Sequence, residues 1–149
     1  MEPHYYNVNI NWKNDRLGNM QSPELNDAID VATPPQFPKG IEGVWSPEHL
    51  FAAAVSSCFM TTFLAIAENS KLEFTGLKIE SKGKLEVVDG KYMMTEVDVM
   101  PTLTIVHEKD RERAERVLMK SEAACLITNS VKAKVNLKPV IEIAETVLN

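Results

Sequence analysis

The chain has 149 residues, 44% hydrophobic and 25% charged, a composition that suits one soluble domain over 1–149 with a full core. Its net charge of −5 speaks against nucleic acid as the main partner, because phosphate binding needs a basic face, and gives no pull toward an anionic membrane surface. Two cysteines, neither in a CxxC, exclude a disulfide scaffold and a zinc ribbon and fit a reducing compartment, the cytoplasm.

The N-terminus MEPHYYNVNINW lacks a basic and an apolar region and reads as mature sequence rather than a signal peptide. Over residues 6–12, Tyr6, Val8, Ile10 and Trp12 alternate with asparagines, which predicts a half-buried strand. The stretch from Lys13 to Asn19 is a turn and a return strand, and Asp27 to Ala32 is a third strand. TPPQFPKGIEG, with three prolines and two glycines, is a loop, and substrate-side flexibility belongs there. Ser46-Pro47-Glu48 opens a helix: serine caps it, proline suits its first position, and glutamate favours the positive end of its dipole. That helix runs to about Asn69, and from Leu50 to Ala67 it carries no charge. Apolar residues go almost all the way round it, so it must be covered on several sides. Eighteen uncharged residues, four of them Ser56, Ser57, Thr61 and Thr62, with no basic flank, favour a protein core over a membrane span.

Residues 74–106 alternate as strands, with Asp89-Gly90 as a hairpin turn. A second helix covers about Lys109 to Ala124, with Ala114, Val117, Leu118 and Ser121 on one face and RERAER on its solvated side. A final strand falls within 131–143. The order of elements is that of an α+β fold.

The chemistry-bearing residues are few. Cys58 lies inside the uncharged helix, Cys125 follows the second helix, Glu48 opens the first, and Arg16 is a lone early arginine. Two thiols, an arginine and a carboxylate are the parts of a thiol-based peroxidase. Each also has a plainer use. Both cysteines can be small core hydrophobes, Arg16 a solvent-facing turn residue and Glu48 a helix-start carboxylate. His4, His49 and His107 are scattered, so no metal is expected, and His49 reads as a helix residue rather than a catalytic base.

SPEHLFAAAVSSCFMTTF, with the late Cys125 in AACLITNSV and the early Arg16, resembles the OsmC/Ohr family, the osmotically inducible and organic hydroperoxide resistance proteins. The resemblance covers nearly the whole chain. It implies antiparallel sheets, a long buried central helix and a second helix, assembled as an intertwined homodimer with active sites at the subunit interface. It also implies reduction of organic hydroperoxides without a cofactor, and recycling by a dithiol reductant, dihydrolipoyl groups in several cases. On that basis Cys58 is the peroxidatic thiol and Cys125 the resolving thiol that forms a Cys58–Cys125 disulfide. Arg16 lowers the Cys58 pKa and orients the peroxide, and Glu48 fixes the Arg16 guanidinium. In the family the second cysteine is usually followed by proline; here Leu126 follows Cys125. That difference keeps open a second reading, a non-catalytic protein of the same fold that binds a hydrophobic or thiol-bearing small molecule.

Spacing adds one more expectation. Glu48 and Cys58 are ten positions apart on one helix, about 15 Å along its axis at 1.5 Å per residue. Two such helices crossing antiparallel would remove that gap. The expected sites therefore combine Cys58 and Cys125 of one chain with Glu48 and Arg16 of its mate.

Overall fold

A computed structural model describes residues 1–145. Two units are distinguished, Met1–Leu50 and Phe51 onward.

In the first unit, β1 (Asn9–Asn14), β2 (Leu17–Gln21) and β3 (Ile29–Ala32) form an antiparallel sheet in that order. Asp15 turns the β1–β2 hairpin at φ 44°, a conformation that a short polar side chain tolerates. The strand expected over 6–12 starts only at Asn9, because that is where Gln21 ends the ladder on β2. Residues before it alternate but have no backbone partner in that sheet. All six residues of β1 are exposed, Ile10 at 63% and Trp12 at 76%, so its apolar face is uncovered rather than half-buried. The loop after β3 returns to the sheet through Trp45, whose carbonyl accepts the Ala32 N–H at 2.8 Å.

The first helix, α1, is Pro47–Asn69. Its start is fixed by Ser46: the Ser46 hydroxyl oxygen accepts the His49 N–H at 3.1 Å and lies 2.6 Å from His49 Nδ1. This is the N-cap that the sequence predicts. Farther along, the Ser56, Ser57 and Thr61 hydroxyls are satisfied by the helix's own carbonyls. Ser56 donates to Ala52 O at 3.0 Å and Thr61 to Cys58 O at 3.1 Å.

The second unit is built on a long hairpin, β4 (Phe74–Val88) and β5 (Lys91–Ile105). Asp89 and Gly90, at φ 50° and 77°, make the two-residue turn whose positive φ values match the strand twist. Along β5 every second residue from Val97 to Ile105 is buried. That face meets Val55, Phe59, Phe63 and Ala67 of α1 and Ala114, Val117 and Leu118 of the second helix, α2 (Arg111–Ala124), in one core. Helix and sheet approach closely at Gly83: a Cβ there would lie 2.7 Å from Met94 Cε and 3.5 Å from Ala52 Cβ. The single strand expected within 131–143 is two, β6 (Lys134–Leu137) and β7 (Val140–Ile143), both parallel to β5. Pro139 lies between them and has no N–H for a ladder, so pairing pauses after Lys138 donates to Val99 O.

Phe63 is fully buried and packs against Phe59 and Phe74, with ring centroids 6.4 and 5.4 Å away. Phe63→Ala should cost about 3–5 kcal/mol of unfolding free energy. The measurement is the denaturant midpoint. A change below about 1 kcal/mol would show that this aromatic cluster is not central to the core.

Within the single chain, α1, expected to be covered on several sides, is buried along one face. Val55, Cys58, Phe59, Phe63 and Ala67 are buried, while Met60 is 40% and Leu64 42% exposed. Ser57, Thr61 and Ala65 are exposed beside them, which leaves an uncharged stripe along the helix. The helix is long and apolar enough to cross a membrane by length and composition, yet five of its side chains belong to a packed protein interior.

Candidate active site

Within the second unit, the fold brings Cys58 and Cys125 together. Cys58 sits in the middle of α1 on its buried side. Cys125 follows the last turn of α2, where its extended backbone (φ −64°, ψ 111°) ends the helix. Both are buried, free thiols. Cys58 Sγ lies 4.0 Å from Thr62 Oγ1, one helical turn on. Cys125 Sγ lies 4.0 Å from the carbonyl of Val55, the residue one turn before Cys58. The second cysteine is thus seated against the turn of α1 that carries the first.

The surroundings push the two thiols in opposite directions. At Cys58 the largest influence is burial, which raises the pKa. It is outweighed by hydrogen bonds to the sulfur: the Ile127 N–H, the Cys125 thiol, the Thr62 hydroxyl and the Leu126 N–H. The net effect holds Cys58 below the ordinary cysteine value. At Cys125 burial is again the largest influence, and it prevails. Hydrogen bonds from the Thr128 hydroxyl and N–H pull the other way, but the neighbouring Cys58 adds to the rise. Cys125 is therefore held above its usual range. The physical logic is that of shared donors: Cys125 as a thiol can donate to a Cys58 thiolate, and two adjacent thiolates repel each other.

The donors that serve Cys58 come from a segment not singled out by its sequence. Leu126 and Ile127 lead into a tight turn after Cys125, and their backbone N–H groups are among the influences that lower the Cys58 pKa. One signal was present: a proline after Cys125 would have no N–H to give, and this chain has leucine there.

The other two expected residues lie in the first unit. Arg16 is on the β1–β2 hairpin, exposed, and its carbonyl accepts the Thr33 N–H at 3.4 Å. Glu48 is half-buried in the first turn of α1, and its Oε2 is buried with no hydrogen-bond partner among the described residues. A buried carboxylate oxygen without a partner is costly, by about 1–3 kcal/mol or more. The loop expected to carry substrate-side flexibility lines a groove of about 550 Å³, with Pro35, Glu42, Trp45 and His49 among its walls. Among the described residues no three His, Cys, Asp or Glu side chains are grouped as metal ligands.

An α+β chain with a half-exposed apolar helix, a long hairpin and two apposed thiols defines a class for which known relatives exist. The profile of the family described as OsmC-like protein matches residues 40–140, and the chain belongs to the OsmC family. A relative from Bacillus subtilis (strain 168), the uncharacterized protein YmaD, is 25% identical over 143 residues, 93% of each chain. An OsmC-like protein of unknown function from Vibrio cholerae has the same fold with a TM-score of 0.83 at 22% identity, over 93% of this chain and 100% of that one. The organic hydroperoxide resistance protein OhrB of Bacillus subtilis superposes with a TM-score of 0.66 at 20% identity, over 93% of this chain and 98% of that one.

Proposed function

We propose that the chain is a thiol-dependent peroxidase that reduces organic hydroperoxides, with Cys58 as the attacking sulfur and Cys125 as the resolving one. The observation that carries this reading is the pair of buried free thiols, with Cys125 Sγ 4.0 Å from the carbonyl of Val55, one turn before Cys58; their surroundings favour the thiolate at Cys58 and disfavour it at Cys125. A peroxidatic cysteine must be a thiolate before it meets peroxide, whereas a resolving cysteine is needed only afterwards. The family, and structural relatives named as organic hydroperoxide resistance proteins, support a peroxide-related stress role.

The chemistry closes in three steps. The Cys58 thiolate attacks the terminal peroxide oxygen of ROOH. The O–O bond breaks, the alcohol leaves after taking a proton, and Cys58 becomes a sulfenic acid. Cys125, deprotonated, then attacks the Cys58 sulfur, a disulfide forms, and hydroxide leaves as water once protonated. Finally a dithiol reductant, such as a dihydrolipoyl group, returns both thiols and is itself oxidised to a disulfide. Arg16 would supply a fixed positive fork for the thiolate and peroxide oxygens, and Glu48 would hold that guanidinium.

A second copy of the chain belongs to this reading. Glu48 Oε2, unpartnered among the described residues, needs a donor, and the uncharged stripe of Ser57, Met60, Thr61, Leu64 and Ala65 needs cover. A two-fold dimer with crossed α1 helices would answer both, since an isologous contact lets one stripe cover its own copy. No nucleic acid or membrane is required, and the reducing cytoplasm is a setting in which the thiols are regenerated.

The direct test is a mass spectrum of the reduced protein after one equivalent of cumene hydroperoxide. The expected product has lost two hydrogens, with Cys58 and Cys125 joined in one peptide pair. Cys125→Ser should instead take up one oxygen at Cys58 and then stall. A parent chain whose mass does not change would favour the binding-protein reading.

A further inference from the structure

The peroxide chemistry leaves the basic residues of α2 unused. Arg113, Arg116 and Lys120 stand at i, i+3 and i+7, which sets them along one stripe of the helix. With Ser70, just past the end of α1, and the buried Val117 they line a cavity of about 200 Å³. A chain of net charge −5 here places three cations side by side. Such a like-charge ladder costs helix stability unless an anion answers it.

The described residues do not answer it in full. Arg113 Nη1 lies 3.9 Å from Asp110 Oδ1, at the outer edge of ion-pair range. Glu112 and Glu115 share a neighbouring groove with Arg116 and Lys120. Among the described residues, however, Arg116 and Lys120 form no ion pair, and the Ser70 hydroxyl has no hydrogen-bond partner. The plainer use for these cations is to face the negative end of α1, whose last turn carries no basic residue. That end is already closed by backbone. The Ser70, Lys71 and Leu72 N–H groups donate to the carbonyls of Ile66, Glu68 and Ala67 at 2.9, 3.1 and 3.0 Å. Lys71 has the left-handed conformation, φ 53°, that this kind of cap uses. Three cations and a hydroxyl are therefore left to the cavity.

We propose that this cavity binds a phosphate group, free or carried by a small molecule, with Arg113, Arg116 and Lys120 supplying the charge and Ser70 a hydroxyl donor. An arginine presents a planar fork to two phosphate oxygens, and a lysine presents a compact charge. The site uses neither thiol, so it stands or falls separately from the peroxidase reading.

The test is isothermal titration of the reduced, full-length chain with inorganic phosphate and, separately, with glycerol phosphate. Ionic strength is held constant with chloride, which also serves as the control titrant. The expected result is saturable binding of one ligand per chain, with no saturable response to chloride. Tighter binding of the ester assigns the site to a phosphorylated small molecule, and tighter binding of phosphate assigns it to the free ion. Arg116→Gln and Lys120→Gln should each weaken binding about tenfold, as loss of one charge-assisted contact implies. Arg116→Lys keeps the charge but loses the fork, and should fall between the parent and Arg116→Gln. Lys91→Gln makes the same change in net charge at the β4–β5 turn and should bind as the parent does. Arg116, Lys120 and Lys91 are exposed, so these changes spare the fold. No saturation by about 10 mM of either ligand overturns the proposal. So does an equal response to chloride, or a loss in Lys91→Gln as large as that in Arg116→Gln.

Discussion

Cys58→Ser is expected to reduce hydroperoxide consumption to background, the largest single effect in this protein. No other residue in the second unit combines a lowered thiol pKa with a position on the buried face of α1, and a serine hydroxyl at that place is neither ionised nor nucleophilic toward peroxide oxygen. The pH profile of the parent should carry the same signature. Because the folded environment favours the thiolate, the rate of the first oxidation should be full above the Cys58 pKa. It should be lost as pH falls through that pKa, with a half-point below the ordinary cysteine value of about 8.5. Stopped-flow consumption of cumene hydroperoxide at a series of pH values measures both. Parent-like turnover by Cys58→Ser, or a half-point at or above 8.5, would remove Cys58 from the attacking role.

Subunit complementation should give the second large effect. Cys58→Ser and Glu48→Ala are each expected to be nearly inactive alone. If each site takes its cysteines from one chain and Glu48 from the other, a mixed dimer collects both lesions in one site and leaves the other whole. Co-refolding equal amounts makes about half of all dimers mixed, so activity should recover to about a quarter of the parent value. The buried Glu48 Oε2, without a hydrogen-bond partner among the described residues, and the open stripe on α1 motivate the experiment. Native mass spectrometry confirms the mixed species. Mixed dimers without recovery would assign Glu48 to its own chain's site or to the helix start alone, and a fully active monomer would dispose of the shared site altogether.

Much of the architecture was legible because local rules decide it. Ser46-Pro47 set the start of α1 through capping and proline geometry, and the helix begins at Pro47 as those rules require. Asp89-Gly90 set the β4–β5 turn because few other pairs accept positive φ twice in succession. The strand limits were less legible. Alternation over residues 6–12 cannot say where a ladder stops, which depends on where Gln21 ends β2. In the last segment, Pro139 splits one pattern into β6 and β7, and their parallel pairing to β5 reflects the path of the chain after α2 rather than any residue in them.

For the candidate site the division is similar. Residue type and setting marked Cys58, Cys125, Glu48 and Arg16, because thiols, a lone arginine and a carboxylate at a helix start are chemically distinctive wherever they occur. Backbone donors leave no such mark. The N–H groups of Leu126 and Ile127 hold Cys58 down only because α2 ends at Cys125 and the next turn folds over the middle of α1. The sequence by itself determined which atoms could do redox chemistry and that α1 would need covering on more than one side. The tertiary structure decided which thiol is favoured as thiolate, since that depends on burial and on hydrogen bonds contributed by residues nearly seventy positions away in the chain.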